Sequence, residues 1–99
     1  MNQLAVTPTR RRFISGRLYA TPAALEELRA VNVSVGDLLS RHLRGDWGDL
    51  SAEDRVQNDL ALQIGLRVLS CYALPGDGSV WIITEWDRSI TTVLLPADH

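Results

Sequence analysis

The chain has 99 residues, 45% hydrophobic and 22% charged, with a formal net charge of −2. That length and balance fit one globular domain, able to bury a core without disulfides or metal. All ten basic residues are arginine, and the acidic balance disfavours general nucleic-acid binding, which draws on many basic contacts to phosphate.

Residues 1–12 read as a flexible N-terminal tail ahead of a single domain over 13–99. The arginines at 10–12 follow the weakly apolar part of the tail, with no hydrophobic stretch behind them, so the segment does not read as a secretory signal. No run reaches the apolar length of a membrane span, and the cytoplasm is the expected location.

Phe13 to Ala20 reads as a strand with Ile14, Leu18 and Ala20 on one face. Thr21-Pro22 supplies an N-cap and a first-turn proline for a helix that turns Leu25, Leu28 and Val31 to one side. A second helix starts near Ser34, with Val35, Leu38, Leu39, His42 and Leu43 forming a complete amphipathic stripe that ends at Gly45. The loop GDWGDL follows at residues 45–50. Ser51 then caps a third helix with Asp54 at its third position; Val56, Leu60 and Ile64 mark the expected buried face, and Gly65 the stop.

The remainder reads as sheet: strands at 66–74, 80–86 and 90–95, joined by Pro75-Gly76-Asp77-Gly78 and by Asp87-Arg88-Ser89. Apolar residues at successive positions, as in VWII and VLL, predict a sheet covered on more than one side. The expected fold class is α+β in the order β-α-α-α-β-β-β. It consists of an antiparallel three-strand meander, the first strand added at an edge or in the centre, and helices packed on one face.

Three places could carry chemistry. His42 has the side chain suited to acid–base work near neutrality, but its place on an apolar stripe reads first as a satisfied core histidine. In GDWGDL, Asp46 and Asp49 with Glu53 and Asp54 do not match the spacing of a calcium loop, so no metal is expected. A capped turn pinned by Trp47 is the simpler reading. Around the last hairpin, Glu85, Arg88 and Thr91 could converge on a phosphate, or could be ordinary turn and strand residues. Cys71, the lone cysteine, sits in an apolar run and reads as an inert thiol. No motif for a cofactor is present, and none is expected.

From GDWGDL onward the chain resembles a group of short proteins carried on plasmids and integrative elements, often labelled plasmid-related proteins or subunit M of type I restriction endonucleases. The matching stretches are RHLRGDWGDL, EDRVQNDLAL, GLRVLSCYAL and WIITEWDRSITTVLLPADH, although related chains tend to end in tyrosine where this one has His99. A methyltransferase subunit needs a cofactor domain larger than this chain, so what the resemblance implies is carriage by a mobile element. The order of elements is also similar to the RelE/ParE toxins and barnase-like ribonucleases. That resemblance would place a catalytic set on His42, Arg67, Glu85, Arg88 and Thr91.

Two functions follow as expectations. The first is a non-enzymatic interaction protein of a mobile element, of the anti-restriction or anti-CRISPR type, binding a host nucleic-acid-processing defence complex. Asp46, Asp49, Glu53, Asp54 and Asp59 would form its acidic surface, with Trp47, Trp86 and Arg88 as contacts. The second is a small ribonuclease using the set above. A homodimer is compatible with both, because Trp81 and Trp86 point to opposite faces if one strand carries them.

Overall fold

The computed structural model describes residues 11–99. Residues 1–10 of the expected tail lie outside that range. Arg12, also counted with the tail, is instead held by the domain. Its backbone N–H donates to the Leu43 carbonyl (2.7 Å) and its guanidinium reaches Asp59 (3.1 Å).

The elements are β1 (Arg17–Ala20), α1 (Pro22–Ala30), α2 (Val35–Leu43), α3 (Ala52–Ile64), β2 (Val68–Ala73), β3 (Ser79–Thr84) and β4 (Ile90–Leu94), followed by a single 3-10 turn, Pro96–Asp98. The α+β class and the order of elements agree with the sequence reading. The sheet itself differs: its strand order is β1-β4-β3-β2, and β1 runs parallel to β4. It is therefore mixed, with an antiparallel β2-β3-β4 meander and β1 at an edge. Parallel and antiparallel pairing impose the same alternation on a strand, so the local pattern could not choose between them.

β1 is also shorter than its apolar pattern. Gly16 adopts φ +63° and lies so close to the Ser89 carbonyl that a Cβ would fall 2.3 Å from it, which turns the chain just before Arg17. Ile14 and Leu18, expected on a buried face, are exposed.

One face of the sheet carries the main core. Ala24 and Leu28 of α1 and Leu38 of α2 pack on Tyr72, Leu74, Val80, Ile82 and Val93. Thr21 fixes the entry to α1: its Oγ1 accepts the Ala24 N–H (3.1 Å) and donates to Asp98 in the closing turn (2.6 Å). Leu25, expected inside, is exposed, because the smaller Ala24 takes the contact with the sheet. A second cluster under α3 joins Trp47, Ala61 and Val68, with Phe13, Leu50 and Leu62 at its margin. On the opposite face of the sheet Ile83 and Leu94 are buried. Trp81 is half-buried there, with the His99 ring edge-on at 5.3 Å.

The largest departure concerns α3. Its predicted inward stripe of Val56, Leu60 and Ile64 faces solvent, and Asn58 and Ala61 face inward. The helix lies along the open edge of β2 rather than across an apolar sheet face. An edge presents backbone N–H and C=O groups, so it demands a polar partner and a small residue. Asn58 Nδ2 donates to the Leu69 carbonyl (2.7 Å), and its Oδ1 accepts the Leu69 N–H (3.2 Å). Ala61 provides the close approach.

Candidate functional site

The five residues of the ribonuclease reading do not meet at a common surface. His42 is fully buried: its Nδ1 lies 2.6 Å from Ser70 Oγ and its Nε2 2.9 Å from Thr84 Oγ1. Thr84 Oγ1 is in turn 2.7 Å from Thr91 Oγ1, and Thr91 donates to the Ser15 carbonyl (2.7 Å). A carbonyl only accepts, so the directions from Ser15 back to the ring Nε2 are determined, and a neutral ring then leaves Nδ1 as the acceptor. Thr91 spends its proton on Ser15, Thr84 donates to Thr91, His42 donates from Nε2 to Thr84, and Ser70 donates to Nδ1. Enclosure of the ring disfavours the imidazolium, so Nε2 carries the one proton and Nδ1 accepts from Ser70. Burial and the positive charge of Arg88 push the ring's pKa down to about 3.

Arg88 is committed as well. Its guanidinium donates to the carbonyls of Leu66 (2.6 Å), Glu85 (3.0 Å) and Ala61 (3.1 Å), clamping the β3–β4 turn onto the end of α3. Arg67 and Glu85 approach each other at 4.0 Å. Both fall by register on the sheet face opposite His42 and Thr91, since Val68 pairs with Thr84. The set thus splits between an enclosed core chain and the opposite face.

The GDWGDL loop is a seal for the β2 edge. Cys71 N–H donates to the Trp47 carbonyl (3.0 Å), Asp49 N–H donates to the Cys71 carbonyl (2.6 Å), and Asp49 Oδ2 accepts the Ala73 N–H (2.9 Å). With Asn58 on Leu69, every outward N–H of β2 from Leu69 to Ala73 has a partner, as do the carbonyls of Leu69 and Cys71. Gly48 permits the contact: at φ +78° its Cβ would fall 2.1 Å from the Cys71 carbonyl oxygen. Trp47 is buried, and its indole N–H donates to Asp59 (3.1 Å).

Trp47 is therefore no aromatic anchor for a partner, correcting one of the expected contacts. Asp46 is likewise occupied. It pairs with Arg41 at 2.7 Å and accepts the Gly48 N–H, and the hydrogen bond from Arg41 holds its carboxyl below the usual range. Asp59 serves both Trp47 and Arg12.

Of the expected contact residues, Glu53, Asp54 and Trp86 remain outside, with Asp49 exposed at the loop. Glu53 and Asp54 occupy the first turn of α3, where negative charge suits the helix dipole. Trp86 is 65% exposed on the turn that Arg88 ties to the other end of that helix. Between these ends lie Val56, Leu60 and Ile64, at 63%, 44% and 58% exposure, and Leu66 follows just beyond the helix. The sequence signal for the three helical residues is their apolar spacing, which shows a face that favours burial but not what it is buried against.

A second apolar surface runs beside β1. A groove of about 330 Å³ between β1, α1 and α2 is lined by Leu18, Leu25, Val35 and Leu39. It adjoins another of about 270 Å³ that reaches Arg11. Arg17 and Thr21 donate their N–H groups to the carbonyls of Ser89 and Val93, so the amides of Leu18 and Ala20 turn to the open edge. Among the described residues no group of three or more His, Cys, Asp or Glu side chains is arranged to hold a metal, and no helix is long and apolar enough to cross a membrane. No family model, curated protein or solved structure matches the chain.

Proposed function

We propose that the chain is a protein-interaction module whose docking surface is the outer face of α3 with the adjoining Trp86 turn. The observation that carries this reading is the outward apolar stripe of Val56, Leu60 and Ile64 on a well-anchored helix. Scattered exposed leucines need no explanation, but an aligned stripe ending beside an exposed tryptophan has the composition of an interface centre. Acidic Glu53 and Asp54 at one end would meet basic groups on whatever covers the stripe. The resemblance to mobile-element proteins suggests a subunit of a host nucleic-acid-processing defence complex as that partner, with this chain acting as its inhibitor. The enclosed, neutral state of His42 supports binding over the ribonuclease alternative, which would require that ring to reach a substrate.

The test is an affinity pull-down of the tagged full chain from host lysate, beside Trp86→Ala and Leu60→Glu variants with unchanged circular dichroism. The expected result is stoichiometric capture of a nucleic-acid-processing protein by the wild type, lost in Trp86→Ala. Capture that survives both substitutions, or recovery of ribosomes or tRNA alone, would refute the proposal.

A further inference from the structure

We infer that the α3 stripe binds a second copy of this chain, forming a two-fold antiparallel helix pair centred on Leu60. This deepens the interaction reading and rests on it: within that docking surface the second copy occupies the stripe, and the heterologous partner is met at the Trp86 turn. The stripe is symmetric about Leu60. Val56 and Ile64, both β-branched, stand four residues either side of Leu60 and on the same face of the helix, about 12 Å apart at 1.5 Å per residue. Two copies related by a two-fold axis through Leu60 would set each Leu60 against the other. Each Val56 would then face Ile64 of the other copy, with Gln57 beside Gln63 at the margin.

The charges choose the direction. Glu53 and Asp54 lie at the N-terminal end of α3, and Arg67 lies just past the Gly65 stop at the other end. Arg67 is half-exposed, and its approach to Glu85 is only 4.0 Å, which leaves its donors largely available. Antiparallel pairing brings Glu53 of each copy towards Arg67 of the other, twice per dimer. It also sets the two helix dipoles antiparallel, the positive end of each beside the negative end of the other. A parallel pair would place Glu53 on Glu53 and Arg67 on Arg67, with like charges repelling at both ends. The surface is thus its own complement under a two-fold rotation, the property an isologous interface requires.

The nearby cations do not obstruct the pair. Arg55 is turned into the loop, donating to the carbonyls of Leu50 and Gly48. Arg12 is held by Asp59. The inward anchors, Asn58 and Ala61, are on the sheet side, so the stripe can be covered without disturbing them.

The test uses the full chain in a Cys71→Ser background, with sedimentation followed from about 1 to 100 μM, the range in which a micromolar complex assembles. The wild type is expected to move from monomer to dimer. Leu60→Glu, which places a carboxylate against its own copy, should weaken that association roughly 100-fold or more with the far-ultraviolet spectrum unchanged. Glu53→Arg and Arg67→Glu should each weaken it, and the two together should restore it. Direction is read by mixing Val56→Cys with Ile64→Cys protein under mild oxidation: an antiparallel pair gives the mixed disulfide. Like-with-like disulfides would overturn the proposal. So would a monomer at every concentration, and in that case Trp86-dependent capture of a partner would still leave the interaction reading standing.

Discussion

The neutral His42 makes a sharp prediction about stability and pH. In the unfolded chain an imidazole takes its proton near pH 6.5, whereas in the fold it resists protonation down to about 3. Between those values the unfolded state binds a proton that the folded state does not, so stability is full above the unfolded pKa and falls as pH is lowered. The slope is about 1.4 kcal/mol per pH unit within the window, giving a loss of roughly 2 kcal/mol between pH 7 and 5. The structural reason is that burial strips the imidazolium of water, and Arg88 would repel the cation.

Urea unfolding at pH 7, 6 and 5 measures this directly, with His42→Gln as a reference that cannot titrate. Carboxylates such as Asp46, held low by Arg41, lose their contribution only at more acidic pH and do not enter this range. The wild type should lose about 2 kcal/mol more than the reference over these two units. If His42→Gln does not fold, nitrogen-15 spectra of the wild-type ring serve instead, and should show a neutral Nε2–H imidazole at pH 5. Parallel pH profiles, or a ring that titrates near 6.5, would refute the buried neutral state of His42.

Three further outcomes follow from the seal on β2 and the clamp on α3. Gly48→Ala should destabilise by roughly 3 kcal/mol in chemical denaturation, since the new Cβ would meet the Cys71 carbonyl at a positive φ. Asn58→Leu should cost about 2 kcal/mol by leaving two backbone groups unpaired, and should speed exchange of the Leu69 amide. Arg88→Met removes three hydrogen bonds to carbonyls and should lower stability by about 2 kcal/mol, with faster amide exchange at the end of α3.

Much of the fold was legible because most elements are locally consistent. The α2 stripe turns Leu38, His42 and Leu43 inward as its spacing indicates, and Thr21, Ser34 and Ser51 all cap helices. The meander strands fall within two residues of their expected ends. What failed depends on distant parts of the chain. The seal formed by GDWGDL needs β2 beside it, so its acids and tryptophan could be read as a surface only while that strand was unplaced. The apolar period of α3 points to the wrong face because it reports a preference for burial, whereas the site of the helix is a strand edge that selects Asn58 and Ala61. Arg88, at φ +61°, looked like a hairpin residue able to reach a ligand; its three carbonyl partners belong to helix and turn ends that only tertiary structure assembles.

The seal and the candidate docking face are consequences of one placement. A helix that holds a strand edge through residues 58 and 61 must point residues 56, 60 and 64 elsewhere, since successive side chains rotate by about 100°. The anchoring contacts are polar and directional, with Asn58 acting as a missing peptide unit for Leu69, so the outward stripe is presented on a fixed support. A fixed face binds without first ordering its own backbone, and binding through it loses less entropy. Loosening the support should therefore weaken association even at residues that never touch a partner. Asn58→Leu, with its own side chain turned away from the interface, should raise the dissociation constant of any complex formed through Leu60 under conditions where the chain remains folded. If association were unchanged while the Leu69 amide exchanged faster, the stripe would owe its function to its side chains alone, and the anchoring of α3 to edge protection.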